Sequence, residues 1–388
     1  MASTETDEIH LFNKMHLISV SFAVENQTKD SIVSAARRGI LPSNGTSVGV
    51  RRTPALLTSP GQPPCRLLGW LPILLSLAWA VTPMAQGQMG PTNGLVAHLP
   101  MHGDANDTSG FGMHGMIMGS PMMTTNRFGE PGQAFDFGLG MGSILLSNLP
   151  VNLATNSQNT VCFWMRWDGG VDGATNPVPM PFGWGNTNQN YCLLFQREGT
   201  NRFGFSGGMG DVFGTNQSLM FSNHWMQVSA VFNNGNMMDS RLYLNGQPVP
   251  GSMTQGGMPA GMGMMVRRSV STNAFIGGFA GMGSVPYQFF GAMSDLRIYN
   301  RALTDPEIAA LYEMDAAPVM QVMSGGTAGA ATITLGSLMV DWQFQMQYSD
   351  DLVHWTNYSG SFMPGPGMMS REVSTTDPHL FWRMEAHP

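Results

Sequence analysis

Short runs of β-branched and aromatic residues, separated by turn-forming residues, recur from Asn93 to about Leu303. The strongest run is TVCFWMRW at 160–167, whose side chains suit a pleated, half-buried surface. Asn245-Gly246 lies inside the series and is typical of a hairpin turn, because both residues tolerate positive φ. No convincing amphipathic helical pattern interrupts the series. Such a chain is predicted to be all-β, with about ten short strands forming a two-sheet jelly-roll sandwich.

One helix is predicted at residues 302–314, after the last strand of this series. Thr304 is a candidate N-cap, Pro306 falls in the first turn, and Glu307 completes a capping-box pattern. Three residues share one face at helical spacing, namely Ile308, Leu311 and Tyr312.

The composition excludes one class of partner. Glycine and proline, 48 and 25 residues, are abundant, as many tight turns require. No lysine follows Lys29, and acidic residues outnumber arginines in the remainder of the chain. Binding to a phosphate backbone needs clustered Lys and Arg, so nucleic-acid binding is disfavoured.

The N-terminal part has the pattern of an export segment. Residues 1–65 are polar, and residues 66–87 combine a basic flank, a short apolar run and a small-residue exit, as a signal peptide does. The polar extension then suggests a misassigned start codon, with the true start near Val48 or Val50. The alternative is a single-pass anchor at 67–84, although a spanning helix usually needs about 20 apolar residues. The protein is therefore predicted to be secreted, periplasmic or at the cell surface, and membrane-bound only if that segment is uncleaved.

Residues 93–315 resemble a known family. The ending DLRIYNRALTDPEIAALY is the most specific part of the resemblance. The other matching segments, in chain order, are GLVAHLPMHGDANDTSGFGMHG, NRFGEPGQAFDF, VCFWMRWDG, HWMQVSAVF and LYLNGQPV. Together they resemble the laminin-G-like jelly-roll family, of concanavalin A-like lectin/glucanase fold, in its bacterial secreted type. The resemblance implies a binding domain.

A second pattern follows a short Ala-Ala-Pro linker. Residues 319–388 alternate strands and turns, which predicts a small β-sandwich-like module. The module is similar to C-terminal units of exported planctomycete and verrucomicrobial proteins. The residues that carry this similarity are Met346, Gln347, Tyr348, Ser349, Asp351, Leu352 and Trp355.

The sequence favours a non-catalytic protein. Retaining glucanases of this fold need two carboxylates roughly 5 Å apart, supplied by alternating positions of one strand. The spacing occurs here only at Glu313-x-Asp315, at the end of the predicted helix. Neither a G-x-S-x-G nucleophile motif nor a P-loop is present.

Calcium is the predicted cofactor. Oxygen-bearing side chains suited to this ion cluster in GDANDTSG, at Asp104, Asn106, Asp107 and Ser109. The resemblance implies a structural calcium here, with Asp295 alongside because the first and last strands of a jelly roll are often neighbours. The alternative is an Asx-rich turn that satisfies its own backbone. The chain also departs from the family at 138–143, where GLGMGS replaces an Asp-rich turn.

Copper is an alternative ligand, because thioether and imidazole groups suit Cu(I). The candidate residues are His98, Met101, His102, Met113, His114, Met116 and Met118. The competing interpretation is that the methionines reflect the general composition of the chain and have no metal-binding role. The 34 methionines spread over strands and loops, and the flexible Met side chain fills irregular gaps in protein cores.

Two further sets of residues are candidates for special roles. Cys162 and Cys192 lie on predicted strands and are a candidate disulfide, the alternative being two buried thiols. Four aromatic residues in or near loops are candidates for stacking on a ligand, namely Trp167, Trp184, Tyr191 and Tyr287.

These patterns predict an exported, non-catalytic binding module for carbohydrate or a cell-surface partner, with a calcium-stabilised jelly roll. Two alternatives stay open at this point. One is a structural or adhesive envelope protein without a small-molecule ligand, and the other is a Met-rich extracytoplasmic copper binder.

Overall fold

A computed structural model describes most of the chain from Gly90 onward. The described residues are 22–23, 90–138, 142–169, 179–185, 191–195, 203–207, 211–213, 223–249, 254–256, 267–279, 287–324, 331–365, 371–375 and 381–387. The chain divides into one unit of Met1–Thr28 with Gly87–Pro388 and a second of Lys29–Gln86. The predicted export segment, its alternative anchor and the alternative start lie outside the described residues. No helix among the described residues is long and apolar enough to cross a membrane.

The described part is built almost wholly from antiparallel strands. The first twenty-one strands are β1 (Phe22–Ala23), β2 (Leu95–Leu99), β3 (Met116–Met118), β4 (Met122–Thr124), β5 (Ala134–Asp136), β6 (Ser143–Leu146), β7 (Gln158–Trp167), β8 (Phe182–Trp184), β9 (Tyr191–Phe195), β10 (Phe203–Ser206), β11 (Asp211–Phe213), β12 (Trp225–Asn233), β13 (Gly235–Asn236), β14 (Arg241–Leu244), β15 (Gln247–Pro248), β16 (Thr254–Gly256), β17 (Arg267–Arg268), β18 (Ala274–Ile276), β19 (Gly278–Phe279), β20 (Tyr287–Gln288) and β21 (Gly291–Tyr299). A 3-10 turn lies at Met237–Asp239, and one α-helix, α1, spans Asp305–Ala316. The last six strands are β22 (Val319–Ser324), β23 (Ala331–Gly336), β24 (Gln343–Ser349), β25 (Thr356–Asn357), β26 (Arg371–Thr375) and β27 (Phe381–His387).

Two eight-stranded sheets form the sandwich. The back sheet has the order β15-β14-β12-β7-β21-β5-β4, with β2 also paired to β21. The front sheet has the order β16-β11-β10-β9-β8-β18-β6-β3. The order crosses between distant parts of the chain, as in a jelly roll, and the predicted two-sheet all-β class is confirmed.

Aromatic side chains fill the space between the sheets. Phe232 of the back sheet meets Trp184 and Tyr191 of the front sheet in edge-to-face contacts, with centroids 5.8 and 4.8 Å apart. Alternation along each strand directs these large side chains inward, so both sheets bury one face in a common core.

Helix α1 covers part of the outer face of the back sheet. The predicted capping box is confirmed, because the Thr304 hydroxyl accepts from the Glu307 amide while the Glu307 carboxylate accepts from the Thr304 amide. The helix begins three residues later and ends two residues later than predicted. Its buried side chains Ile308 and Leu311 pack against Tyr299.

The C-terminal strands form two small sheets, the first of which also contains the N-terminal strand β1; the orders are β1-β27-β24-β25 and β22-β23-β26. Their apolar side chains share one cluster with residues of the back sheet's outer face, such as Trp164 and Trp225. The outer face of the back sheet is therefore buried by α1 and the C-terminal strands. The domain limits 93–315 and 319–388 stay predictions.

Candidate functional site

The loop between β2 and β3 is organised by one carboxylate. The Asp107 side chain accepts hydrogen bonds from the amides of His98, Ser109 and Met113 at 2.8 to 2.9 Å, and from the Ser109 hydroxyl at 2.8 Å. Burial raises the pKa of Asp107, but these hydrogen bonds outweigh it, so the pKa lies below its ordinary value. Asp107 therefore fastens the loop to β2.

Two other proposed calcium ligands, Asp104 and Asn106, bind each other. The Asp104 carboxylate accepts from the Asn106 amide at 3.0 Å and from the Asn106 side chain. This is an Asx turn, which was the alternative interpretation of this segment.

Asp295 faces two arginines and a histidine instead of the loop. Its carboxylate contacts Arg297 at 3.0 Å, Arg127 at 3.3 Å and His98 Nε2 at 2.9 Å. In this structure, all five proposed calcium ligands are hydrogen-bonded to protein groups. Among the described residues, no group of three His, Cys, Asp or Glu side chains could hold a metal ion. Calcium binding stays a prediction from the resemblance.

A buried network of two arginines and two aspartates lies beneath α1. Arg297 contacts Asp295 and also makes two bonds to Asp315, with Nη1–Oδ2 at 2.6 Å and Nη2–Oδ1 at 3.1 Å. Arg127 reaches Asp295 and the Asp315 carbonyl oxygen. Burial raises the pKa of Asp315. Burial also opposes ionisation of Asp295, but the charge of Arg297, the hydrogen bond with His98 and the charge of Arg127 hold the pKa of Asp295 far below its usual range.

The network depends on an irregular strand. The pairing of β21 with β7 shifts between Ser294 and Arg297, and Asp295 has a left-handed φ of 55° at that point. The bulge turns the Asp295 side chain toward the cations. The sequence did not predict this network, because the spacing of Asp295, Arg297 and Asp315 matches no pattern that indicates buried ion pairs.

A hydroxyl, an imidazole and a carboxylate also lie in series here. Thr108 Oγ1 is 2.9 Å from His98 Nδ1, and His98 Nε2 is 2.9 Å from Asp295. Nucleophilic triads use such a chain, but their carboxylate is free to stabilise the imidazolium. Here two guanidinium groups already neutralise Asp295. We therefore interpret the three hydrogen-bonded side chains as a structural link between the β2–β3 loop and strand β21.

The proposed copper ligands are divided among different environments. Both ring nitrogens of His98 are hydrogen-bonded, and His114 Nδ1 accepts from the Asp107 amide. Met101 is fully buried and Met113 packs on the core, whereas His102 is exposed. Met116 and Met118 are exposed on β3. The seven residues do not converge, and copper binding stays a prediction.

Three of the four candidate stacking residues belong to the core, which corrects the sequence-based expectation. Tyr191 is fully buried and hydrogen-bonds to Ser240, and Trp184 is buried among phenylalanines. Trp167 is 8% exposed and stacks on Phe195 at 4.4 Å. These aromatic residues occupy strands that the sequence placed in or near loops.

The two candidate disulfide partners are not bonded to each other. Cys162 lies on β7 of the back sheet, where its thiol accepts from the Ser229 hydroxyl, and Cys192 lies on β9 of the front sheet. They belong to separate apolar clusters, so the alternative of two buried thiols holds. Burial raises the pKa of the Cys162 thiol to about 12, which makes it unreactive.

The fourth stacking candidate lies on the outer face of the front sheet. Tyr287 and Phe275 are both half-buried and pack against Met180, Cys192 and Leu194. Side chains that lie opposite each other on antiparallel strands share a face. The register pairs Phe275 with Leu145, so both lie on this outer face. We call the half-buried side chains of Leu145, Phe275 and Tyr287 the front patch.

Asp107→Asn is expected to lower the free energy of unfolding by about 1–3 kcal/mol, because an amide cannot accept all four donors. The folded-state pKa of Asp107 lies below its ordinary value of 3.8. Its stabilising effect is therefore present above about pH 4 and is lost as pH falls through the folded-state pKa. Urea unfolding at pH 7 and pH 3 measures both effects. Asp104→Asn is the control in the same loop, and an equal effect of both substitutions would contradict the assignment.

The chain is similar to several known proteins. Residues 140–309 match the family model described as the concanavalin A-like lectin/glucanases superfamily. Domain 4 of an extracellular arabinanase from Geobacillus stearothermophilus, in complex with arabinotriose, is 19% identical with a TM-score of 0.39, covering 56% of this chain and 98% of that one. The receptor-binding domain of a botulinum neurotoxin C/D mosaic serotype is 11% identical with a TM-score of 0.38, covering 67% and 75%.

A third similar structure is the ligand-binding domain of botulinum neurotoxin serotype D in complex with N-acetylneuraminic acid. It is 13% identical with a TM-score of 0.38, covering 69% of this chain and 64% of that one. No curated protein matches the chain significantly. The two antiparallel sheets of the structure agree with the match of residues 140–309 to the model of the concanavalin A-like lectin/glucanases superfamily.

Proposed function

We propose that this protein is an exported, non-catalytic module that binds carbohydrate, or a cell-surface partner, through the outer face of the front sheet. The observation that carries the proposal is the unequal covering of the two sheets. Helix α1 and the C-terminal strands bury the outer face of the back sheet. The front patch leaves aromatic and aliphatic side chains half-exposed on the opposite face.

The chemistry of the front patch favours a ligand with an apolar face and polar edges. The rings of Phe275 and Tyr287 supply apolar surface, and the Tyr287 hydroxyl adds a polar handle. A sugar ring has such a mixed surface, since its C–H groups form an apolar face. Ligand sites are commonly apolar with a few polar groups that fix orientation.

A non-catalytic role is supported by where the buried carboxylates lie. Asp295 and Asp315 share Arg297 beneath α1, on the side away from the front patch. A glycoside-hydrolysing pair must instead flank the bond that it cleaves. Export rests on the sequence of residues 66–87 alone, and calcium rests on the family resemblance alone.

Tyr287→Ala and Phe275→Ala are each expected to weaken glycan binding at least about tenfold, the equivalent of about 1.4 kcal/mol. The measurement is a glycan array with the full chain, followed by calorimetry on the best ligand, with calcium and with EDTA. Tyr358→Ala is the matched control, because Tyr358 is 41% exposed and directly follows β25, away from the front sheet. Thermal unfolding of each variant checks that the fold is retained.

A blank array would exclude carbohydrate and favour the structural or adhesive alternative. Binding that survives both front-patch substitutions would move the ligand site elsewhere. Binding that EDTA abolishes would support the calcium prediction, and binding indifferent to EDTA would remove calcium from the ligand site.

A further inference from the structure

One edge of the sandwich is open and apolar. Strand β3 ends the front sheet and β4 ends the back sheet, and the turn between them joins the two sheets at this edge. The side chains of β3 are exposed, with Met116 at 56%, Ile117 at 44% and Met118 at 41%. Met122 and Met123 of β4 are exposed beside them.

Within the described part of the chain, this edge lacks the usual protection of sheet edges. Natural proteins guard such strands with charged side chains, above all lysine, or with covering loops and bulges. The segment 115–125, with the sequence GMIMGSPMMTT, contains no charged residue. The strand β3 therefore presents a main-chain edge and large apolar side chains without any charge to repel a partner.

The sequence of this edge is palindromic. Residues 115–119 read GMIMG in both directions. When a strand pairs antiparallel with its own copy about a two-fold axis, each residue meets the residue at the mirrored position. Centred on Ile117, that pairing places isoleucine opposite isoleucine and Met116 opposite Met118.

We propose that this edge binds a second copy of the protein, through antiparallel pairing of β3 with the β3 of the other copy. The front sheets of the two copies would join into one continuous sheet. When two uncharged β3 strands pair, no unpaired charge is buried. A charged partner strand would bury a charge without a partner in this interface. The apolar side chains supply the favourable free energy, since removing them from water is stabilising.

The expected dimer is concentration-dependent. A three-residue strand offers few main-chain hydrogen bonds, so the interface is small compared with that of an obligate dimer. The chain carries a net charge of −7, so two copies repel each other. Added salt screens this repulsion and is expected to strengthen association.

Sedimentation velocity of the full chain over a wide concentration range tests the proposal. The weight-average mass of the wild type is expected to rise toward twice that of the monomer. Ile117→Lys is expected to stay monomeric, because the pairing would bury two facing ammonium groups. The control is Val353→Lys, at a position that is 72% exposed between β24 and β25, and it should associate like the wild type. A wild type that stays monomeric, or an Ile117→Lys variant that still dimerises, overturns the proposal.

Cysteine cross-linking tests the register without changing charge. Directly opposed Cβ atoms lie about 4.5–5.5 Å apart, close enough for a disulfide after small adjustments. With Cys65→Ser in every variant, Ile117→Cys is expected to form a disulfide-linked dimer on oxidation, about tenfold faster than Val353→Cys.

The flanking positions distinguish two-fold pairing from random contact. A mixture of Met116→Cys and Met118→Cys chains is expected to cross-link faster than either chain alone, because those two positions face each other. Equal rates for the mixture and for each chain alone would overturn the proposed register. Equal rates for Ile117→Cys and Val353→Cys would overturn the interface.

Discussion

Arg297→Gln is expected to lower the free energy of unfolding by about 3–5 kcal/mol. Arg297 lies between two buried carboxylates, and its side chain is only 11% exposed. The substitution removes the cation but leaves Asp295 and Asp315 buried and facing each other. Asp295 keeps Arg127 as a partner, whereas Asp315 loses its main ion pair. Urea denaturation followed by tryptophan fluorescence measures the loss.

Arg301→Gln is the matched control. Arg301 follows the same strand and also pairs with a carboxylate of α1, contacting Glu307 at 2.6 Å. Both partners of this second pair are partly exposed, so the expected loss is at most about 1 kcal/mol. Equal losses for the two substitutions would show that burial does not govern the strength of these pairs.

A double substitution separates the burial of charge from packing. Arg297→Met with Asp315→Leu removes both members of the buried pair and leaves Asp295 with Arg127 and His98. We expect this variant to be more stable than Arg297→Gln, because no carboxylate remains without its cation. If the double variant is less stable than Arg297→Gln, the Arg297–Asp315 ion pair contributes more stabilising free energy than the burial of its two charges costs.

Phe232→Ala is expected to cost about 3–5 kcal/mol, through lost contacts and the cavity that remains. Phe232 is fully buried at the centre of the sandwich. Its ring lies edge-to-face on Trp184, Tyr191 and Phe205, at centroid distances of 5.8, 4.8 and 5.1 Å. Denaturant unfolding gives the energy, and near-ultraviolet circular dichroism reports the loosened aromatic packing.

Phe111→Ala is the control for this substitution, because Phe111 is 56% exposed in the loop before β3. Its expected effect is within about 0.5 kcal/mol, as for most surface positions. Phe232→Leu should fall between the two, since it keeps most of the volume. A small effect of Phe232→Ala would mean that the facing sheets close over the gap.

Much of the fold follows from local patterns. The run at 160–167 becomes part of the long strand β7, and Asn245-Gly246 forms the turn between β14 and β15 with positive φ at both residues. The capping box of α1 forms as predicted, because its donors and acceptors lie three residues apart. Such features depend on neighbours in the chain, which a sequence displays directly.

The candidate site was harder to predict, because each side chain's partners are distant in the chain. Asp107 binds its own loop and Asp295 binds arginines, contacts that the sequence did not display, and the calcium ion proposed for both stays a prediction. Trp184 and Tyr191 were predicted at a surface, yet register and facing direction put them in the core. A one-residue change of register reverses the face of a strand side chain, and the sequence fixes that register only through the whole sheet.

The sequence by itself therefore determined the all-β class, the resemblance to the jelly-roll family, the capped helix and an acidic composition with few lysines. Those properties rest on composition and on spacings of two to four residues. Only the tertiary structure decided which sheet face is covered, which carboxylates meet arginines and which methionines are exposed at the β3 edge. Each of these depends on contacts between residues far apart in the chain, whose geometry is set when the sheets pair and pack.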